Sequence, residues 1–427
     1  MNIKKVGVLG ANGTMASLSG GLFAQQDIKC VFFARSKEKA QKGIDAAVEQ
    51  ARSDLLRNYI EPKTYDDLEQ EIPDCDWVFE GLVEDIDIKN KYFDCIDKVR
   101  KKGSIVSTVS SGLSIEEMAD ERSNDFQAHF MGTHFYNPPA KLPANELTFH
   151  PRNSEETKKA VADFCSRSLR RKNIETFNVP AFAGNRIGFQ FLNEAAIHAI
   201  KHGPELIDYL LGPYTGRAMA PLATVDLVGL DLHKAILENI YTKLDDERHD
   251  TYKMPDYMQK MIDMGMLGSK YGSKGGFFKR GEDKKRFVLD IEKLTHSPVS
   301  KPKVGFVQDM KVAIHDGRYN KAMDIFKAAN GEEGKLVHHF ILGYVSYSFN
   351  RIGEVTPEAD SIHGIDRVMS FGFSWLPPSG WVDLLGGPKE TLKLISRAGL
   401  PEPKSLKNLK EESICQMPDM TRFLRGD

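Results

Sequence analysis

Short apolar runs and longer stretches of helical periodicity alternate along the first 180 residues of the chain. After the first apolar run, hydrophobic residues recur at helical spacing, and a second apolar run follows. Residues 36–70 are rich in charge and predict helices that end in a polar connection. Strands that alternate with helices favour a mostly parallel, doubly wound α/β sheet. The runs that predict strands are residues 5–9, 29–33, 77–80, 104–108, 127–131 and 146–149.

The pattern changes near residue 180. Residues 184–280 and 304–427 predict mainly helix, whereas the strongly charged stretch 279–303 between them predicts an exposed connector. The sequence therefore predicts three domains. They are an α/β domain over residues 1–180 and two helical domains, over residues 181–285 and 300–427.

A weak internal repeat links the two helical parts. The stretch PLATVDLVG at 221–229 resembles PSGWVDLLG at 378–386, with proline, aspartate and glycine at the same spacing. Such self-similarity predicts a duplicated helical domain. A chance match of one short stretch is the alternative.

Composition narrows the classes of function. A net charge of −2 lacks the strongly basic field that nucleic-acid binding requires. No apolar run approaches the roughly 20 residues of a membrane span, and the chain begins directly with a predicted strand, which leaves no space for a secretory signal. Five cysteines without CxxC spacing favour reduced thiols in a cytoplasmic location. No metal site is predicted.

A glycine-containing turn follows the first predicted strand. It has the pattern GxxGxxA, with Asn12 as an apparent insertion and Ala16 where a third glycine is usual. Glycine lets backbone N–H groups approach a pyrophosphate at the start of a helix, so the turn predicts a dinucleotide site. A plain turn between strand and helix is the alternative. The predicted cofactor-binding residues are Gly10, Asn12, Gly13, Thr14 and Met15.

The end of the second strand lacks the acidic residue that normally binds the ribose of NAD. It carries Arg35, which could meet the 2′-phosphate of NADP or stack on the adenine. The predicted cofactor is therefore NAD, with NADP possible. Lys42 on the following charged helix is a candidate contact for substrate phosphates, although a charged helix face is more often simply solvated.

Three polar residues further along suggest proton transfer coupled to hydride transfer. Ser110 ends the strand predicted over residues 104–108, and His134 and Glu146 follow on later strands. A neutral imidazole near pH 7 is suited to take a hydroxyl proton, and a carboxylate on its other nitrogen would fix the tautomer. Structural roles for each residue alone are the alternative.

The order of the motifs resembles that of the L-3-hydroxyacyl-CoA dehydrogenase family over residues 1–285. This resemblance implies a Rossmann-type domain followed by two all-helical C-terminal domains of the 6-phosphogluconate dehydrogenase-like kind. The motifs are EGLVEDIDIKNKYF (80–93), the Ser110–Ser111 turn, HFYNP (134–138) with Glu146, AGNRIGF (183–189), PLATVDLVGLD (221–231) and GSKYGSKGGFF (268–278).

By this resemblance His134 is the catalytic base and Glu146 is its partner. Ser110 and Asn185 contact the substrate, and Glu84 and Lys89 contact the cofactor. The family also implies an acyl-CoA substrate in fatty-acid metabolism and a homodimer, whereas the composition argues against nucleic-acid and membrane partners. A duplicated helical domain could replace the dimer contact, which would leave a monomer or a looser dimer.

Two alternatives to this activity stay open on the sequence. Residues 138–145 depart from the family's usual sequence, so a different small 3-hydroxy acid such as carnitine could be the substrate. The chain could also be a cofactor-binding scaffold without catalysis. The second helical part lacks an asparagine–arginine pair where LVHH (336–339) stands, so a catalytic role there is not expected.

Overall fold

The computed structural model describes residues 1–269, 274–281 and 284–426. The chain folds into two compact units. The first comprises Met1–Phe182 with Val355–Pro357, and the second comprises Ala183–Glu354 and the residues from Glu358 onwards. The motif predicted over residues 268–278 lies in part outside the described residues. No helix in the described part of the chain has the length and apolar character that crossing a bilayer requires.

An eight-stranded sheet forms the centre of the first unit. Its strand order is β3-β2-β1-β4-β5-β6-β7-β8, and every neighbouring pair is parallel except β6 and β7. The strands are β1 (Lys5–Leu9), β2 (Lys29–Ala34), β3 (Ile60–Thr64), β4 (Trp77–Glu80), β5 (Ile105–Thr108), β6 (Phe130–Phe135), β7 (Ala144–Phe149) and β8 (Lys172–Glu175). The order 3-2-1-4-5-6 is that of the Rossmann fold, in which ligands bind where the order reverses, between β1 and β4.

Six α-helices connect these strands: α1 (Thr14–Ala24), α2 (Lys37–Ala51), α3 (Leu68–Glu71), α4 (Ile86–Val99), α5 (Asn124–His129) and α6 (Glu155–Arg167). Local capping explains several of their starts. Ser36 accepts a hydrogen bond from the Lys39 N–H, and Asp85 accepts one from the Ile88 N–H. Two buried apolar clusters, which together contain Phe23, Trp77 and Phe93, pack helices onto the sheet.

The predicted strands at 5–9, 29–33, 77–80, 104–108 and 146–149 are confirmed to within two residues. The prediction of helix throughout residues 36–70 is wrong at β3, whose side chains are mostly half-exposed. Pro62 is tolerated there because β3 is an edge strand. The prediction of a strand over 127–131 is wrong at its start, because Ser123 caps α5 and the strand begins only at Phe130.

Helices predominate in the second unit. They are α7 (Gly184–His202), α8 (Pro204–Leu210), α9 (Pro221–Val228), α10 (Leu230–Lys243), α11 (Asp256–Asp263), α12 (Gly305–His315), α13 (Tyr319–Ala328), α14 (Gly331–Asn350), α15 (His363–Gly372), α16 (Pro378–Leu384), α17 (Pro388–Arg397) and α18 (Lys404–Lys407). Residues 279–303, predicted as a connector, contribute instead to a three-stranded antiparallel sheet. Its strands are β9 (Phe278–Arg280), β10 (Arg286–Asp290) and β11 (Thr295–Pro298).

The two copies of the predicted repeat have the same local geometry. Helices α9 and α16 begin at the matching prolines, and the matching glycines Gly229 and Gly386 have φ values of 101° and 102°. The aspartate of each copy accepts backbone N–H groups from a later segment. Asp226 binds the N–H groups of Phe277 and Phe278, at 2.8 Å each.

The aspartate of the second copy makes the corresponding contacts. Asp383 accepts hydrogen bonds from the N–H groups of Ile414 and Cys415, at 2.8 and 3.0 Å. In both copies both carboxylate oxygens are therefore occupied by backbone donors. Each aspartate ties its helix to a chain segment that is distant in sequence.

We predict that Asp226→Asn lowers the free energy of unfolding of the protein by about 1–3 kcal/mol, because an amide has one acceptor oxygen and its NH2 group would face a backbone N–H. Asp383→Asn should have a comparable effect. Asp309→Asn, at an exposed position on α12, is the matched control. Urea unfolding followed by circular dichroism measures the free energy of unfolding of all three variants. If Asp226→Asn and Asp383→Asn were as stable as Asp309→Asn, the role of the two aspartates in joining distant segments would be contradicted.

Candidate active site

The glycine turn lies at the point where the strand order reverses. Gly10 has a φ of 72°, and a Cβ atom there would lie 2.2 Å from the carbonyl oxygen of Gly81. The Gly13 N–H donates to the Gly10 carbonyl at 2.8 Å, and Gly13 is the N-cap of α1. The turn therefore packs against the residue that follows β4, and glycine is required at its first position. Asn12 and Thr14 are exposed beside it, and Met15 is half-buried.

Helix α1 and helix α2 both approach this turn closely. A Cβ at Gly81 would lie 2.8 Å from the Cβ of Ala16, so alanine fills the space beside β4. A Cβ at Gly43 of α2 would lie 1.8 Å from the carbonyl oxygen of Ala11. The sequence pattern did not single out Gly43, because a lone glycine in a charged helix carries no signal of the chain that packs on it.

Two tyrosines support the turn on the side of β3. The Gly10 N–H donates to the Tyr65 hydroxyl at 3.2 Å, and the rings of Tyr65 and Tyr92 are 4.6 Å apart. Burial raises the pKa of Tyr65 to about 12, although the hydrogen bond from Gly10 acts in the opposite direction. Arg35 is exposed directly after β2, and Lys42 is exposed on α2.

His134 and Glu146 are directly opposite each other in the antiparallel pair of β6 and β7. The His134 Nδ1 atom lies 2.7 Å from Glu146 Oε2, and the Glu146 side chain is fully buried. A carboxylate at this distance favours the tautomer with the proton on Nδ1. The other ring nitrogen, Nε2, then has a lone pair that can accept a proton.

Tyr136 is a third member of this cluster, and the sequence reasoning missed it. Its hydroxyl donates to the same Glu146 oxygen at 2.7 Å, and its ring lies edge-on to the His134 ring. Burial, together with the negative charge of Glu146, raises the pKa of Tyr136 well above its usual value, so the hydroxyl keeps its proton. The one feature of the sequence that could have identified Tyr136 is its aromatic position within the motif HFYNP.

Ser110 follows β5 and is buried. Its hydroxyl donates to Glu84 Oε1 at 2.5 Å, and the same oxygen accepts the Gly112 N–H at 2.8 Å. Glu84 is nearly half-exposed, whereas Lys89 on α4 is fully buried. The Lys89 ammonium lies 2.7 Å from Glu80 and 3.7 Å from Glu84, so its charge is held inside the domain.

Asn185 is the second residue of α7 and is buried in the structure. The next residue, Arg186, anchors this turn, with its guanidinium 2.7 Å from Asp246 and 2.5 Å from Glu354. The Tyr252 hydroxyl donates to the Arg186 carbonyl at 2.9 Å. The turn that carries Asn185 is therefore fixed within the second unit by the ion pairs of Arg186 and by the hydrogen bond from Tyr252.

One cluster in the described part of the chain has the ligand types of a metal site. The ligand atoms of Glu194, His198 and His339 lie within 4.8 Å of one another. Glu194 already accepts hydrogen bonds from His339 and Arg248 on one oxygen and from Gln190 on the other. Burial opposes its ionisation, but His339 and Arg248 outweigh burial and lower the pKa of Glu194. These contacts describe an ion-pair network that joins α7 to α14.

Comparison with known proteins matches both units to one family. Residues 5–178 match the family model described as 3-hydroxyacyl-CoA dehydrogenase, NAD binding domain. Residues 182–279 match the model described as 3-hydroxyacyl-CoA dehydrogenase, C-terminal domain. The two matches together cover more than half of the chain.

Curated relatives carry related names. A probable 3-hydroxyacyl-CoA dehydrogenase of Bacillus subtilis is 31% identical over 96% of this chain and 54% of its own length. A protein of the same name from Deinococcus radiodurans is 31% identical over 67% of this chain and 85% of its own length. The chain thus spans about half the length of the first of these relatives.

Solved structures show the same fold. The 3-hydroxybutyryl-CoA dehydrogenase of Escherichia coli K12 superimposes with a TM-score of 0.71 at 18% identity, over 95% of this chain and 98% of that chain. The (S)-3-hydroxybutyryl-CoA dehydrogenase of Ralstonia eutropha gives a TM-score of 0.55 at 29% identity, over 64% and 98% of the two chains. The first of these likenesses extends beyond residue 279 into the remaining helical part.

We predict that Gly10→Ala weakens binding of reduced nicotinamide dinucleotide roughly tenfold or more, equivalent to about 1.4 kcal/mol, because the added Cβ would collide with Gly81. Gly103→Ala is the control, since Gly103 has a similar φ of 77° but its Cβ would meet no atom closer than 4.0 Å. Fluorescence titration with NADH and NADPH measures the affinity. Equal affinities of the two variants would contradict the assignment of the turn to the cofactor site.

Proposed function

The chain belongs to the 3-hydroxyacyl-CoA dehydrogenase family, and from this we propose that it interconverts an L-3-hydroxyacyl-CoA and the corresponding 3-ketoacyl-CoA. The observation that carries the proposal is the contact of 2.7 Å between His134 Nδ1 and Glu146 Oε2. It leaves Nε2 of a neutral imidazole to exchange a proton with the substrate oxygen. The names of the relatives that the chain resembles support the substrate class.

His134 acts as general base in the oxidation direction. Its Nε2 takes the proton of the 3-hydroxyl group. A nicotinamide dinucleotide held by the residues of the glycine turn would supply the acceptor for the hydride that leaves carbon 3. The imidazolium that forms is stabilised by Glu146, whose charge is shared with the Tyr136 hydroxyl. In the reduction direction the imidazolium returns the proton to the developing alkoxide.

Ser110 and Asn185 are the proposed substrate contacts. The Ser110 hydroxyl stands at the carboxyl end of β5, the edge at which ligands bind in open α/β sheets. Asn185 is held on the anchored first turn of α7. Lys42 is a proposed contact for the phosphates of CoA, because it is exposed on α2 and positively charged.

The glycine turn and the end of β2 are proposed to set the cofactor preference. Gly10, Asn12, Gly13, Thr14 and Met15 form the turn at the strand-order reversal, where a pyrophosphate would meet the start of α1. Arg35 stands where NAD enzymes usually carry an acidic residue. NAD is the expected cofactor, with NADP accepted through Arg35. Glu84 and Lys89 are proposed to contact the cofactor.

The second unit is proposed to contain a duplicated helical domain, over residues 181–285 and 300–427. The matched positions of Asp226 and Asp383 and the matched glycines support this assignment. A second copy within one chain can bury the apolar surface that a partner subunit would otherwise cover. We therefore infer a monomer or a loose homodimer. The five free cysteines support a reducing, cytoplasmic location.

We predict that the purified protein reduces acetoacetyl-CoA with NADH or NADPH, and that His134→Gln lowers kcat by ~10²–10⁴-fold because the general base is lost. His129→Gln is the control, since His129 is a neighbouring histidine on α5 outside the pair. Absorbance of the reduced nicotinamide follows the reaction. Turnover by His134→Gln within a few-fold of the unaltered protein would refute the assignment. Cofactor binding without any turnover would favour another 3-hydroxy acid or a scaffold.

We predict that Arg35→Ala raises KM for NADPH about tenfold relative to KM for NADH, because a charge-assisted contact to the 2′-phosphate is lost. Lys29→Ala, at the opposite end of the same strand, serves as the control. Steady-state kinetics with each cofactor supply the comparison. An equal rise for both cofactors would show instead that Arg35 stacks on the adenine.

A further inference from the structure

Five residues in the first unit form a closed ring of hydrogen bonds and ion pairs that includes the proposed substrate serine. The Thr108 hydroxyl donates to Glu80 Oε2 at 2.5 Å and accepts the Ser110 N–H at 3.0 Å. The Ser110 hydroxyl donates to Glu84 at 2.5 Å. Lys89 closes the ring, because its ammonium lies between Glu84 and Glu80.

The innermost part of this ring is a fully buried ion pair. Glu80 and Lys89 both have side chains that are 0% exposed, and their charged atoms are 2.7 Å apart. Removing two charges from water is costly unless further hydrogen bonds satisfy them. Glu80 meets that requirement, since it also accepts the Leu82 N–H at 2.5 Å and the Thr108 hydroxyl. Its carboxylate is thereby held in one orientation.

The ring joins three elements at the strand-order reversal. Glu80 ends β4, Thr108 ends β5 and Lys89 lies on α4. Gly81, directly after Glu80, packs against Gly10 of the glycine turn. The buried carboxylate is therefore connected on one side to the proposed cofactor turn and on the other to Ser110.

Thr108 is the link through which Glu80 reaches Ser110. A hydroxyl group can donate one hydrogen bond and accept others at the same time. Thr108 uses both capacities, and its own position is fully buried. Ser110 is consequently held at two points: its backbone N–H by Thr108 and its hydroxyl by Glu84.

We propose that Thr108, anchored by the buried Glu80–Lys89 pair, is a positioning residue that sets the location of the Ser110 hydroxyl for the substrate oxygen. This inference rests on the proposed function, because it requires Ser110 to contact the reacting oxygen. Sequence reasoning did not identify Thr108 or the role of Glu80, since a threonine and a glutamate at strand ends have no distinctive pattern. Positioning matters because small displacements of a contacting group lower the rate of the chemical step.

The test compares Thr108→Val with Thr108→Ser. Valine keeps the shape of threonine but removes the link between Glu80 and Ser110, whereas serine keeps the hydroxyl. We expect Thr108→Val to lower kcat for acetoacetyl-CoA reduction about tenfold. The dissociation constant for NADH, measured by fluorescence titration, should stay within roughly twofold, and Thr108→Ser should retain most of kcat.

Thr133→Val is the matched control. Thr133 is also a fully buried threonine of the same sheet, and its hydroxyl donates to Ser107 at 2.9 Å, outside the ring. A general cost of removing a buried hydroxyl should lower the melting temperature in both valine variants. A loss of kcat specific to Thr108→Val supports positioning, and equal kcat values for the two valine variants would overturn it.

Amide hydrogen exchange supplies a readout that does not depend on the substrate. Peptides spanning residues 106–113 should exchange faster in Thr108→Val than in Thr133→Val or Thr108→Ser, because the Ser110 N–H loses its acceptor. Unchanged exchange would overturn the inference even if the protein is active. If the unaltered protein shows no turnover, the proposed function fails, while the exchange experiment still decides whether Thr108 holds Ser110.

Discussion

The register of one antiparallel strand pair is the constraint on which the candidate site depends. Strands β6 and β7 place His134 directly opposite Glu146, and the two side chains meet at 2.7 Å. Side chains alternate between the two faces of a sheet, so a shift of one residue would send one partner to the opposite face. The neighbouring pairs are parallel, and they bring the ends of β1, β4 and β5 to a common edge.

Two buried carboxylate groups lie around the candidate site in the first unit. One is the Glu146 carboxylate, which is bound by His134 and Tyr136. The other is the Glu80–Lys89 pair, which is completed by the Thr108 hydroxyl and by the Leu82 N–H. In both groups hydrogen bonds offset the cost of removing charges from water. The proposed catalytic base contacts a buried carboxylate directly, whereas the proposed substrate serine is connected to one through Thr108.

Buried carboxylates also stabilise the second unit, where they bind backbone N–H groups and arginines. Its aspartates bind backbone N–H groups from distant segments, as Asp226 does with residues before and within β9 and as Asp208 does at the start of α9. Two of its buried arginines are paired with the same acid, since Arg186 and Arg351 both contact Asp246. Buried acids therefore join helices that local sequence alone would leave separate. The first turn of α7, with Asn185, depends on these contacts.

The sequence by itself determined the class of fold and most of the central strands, and it singled out the glycine turn and the candidate serine, histidine and glutamate. Apolar periodicity is a local property, and the motifs carry their chemistry in adjacent residues. The sequence pattern did not predict β3 and β8, because these strands bury few side chains. It also predicted a connector where β9, β10 and β11 form a sheet.

Only the tertiary structure decided which groups meet across the chain. The pairing of His134 with Glu146 needed a strand register, and the hydrogen bond from Tyr136 needed the resulting position of the carboxylate. The ring through Thr108 and the contact at Gly43 join elements that are far apart in sequence. A change of a few tenths of an ångström in distance is enough to weaken a hydrogen bond or to turn a close backbone contact into a clash. Packing sets these distances, and the order of residues in the chain does not.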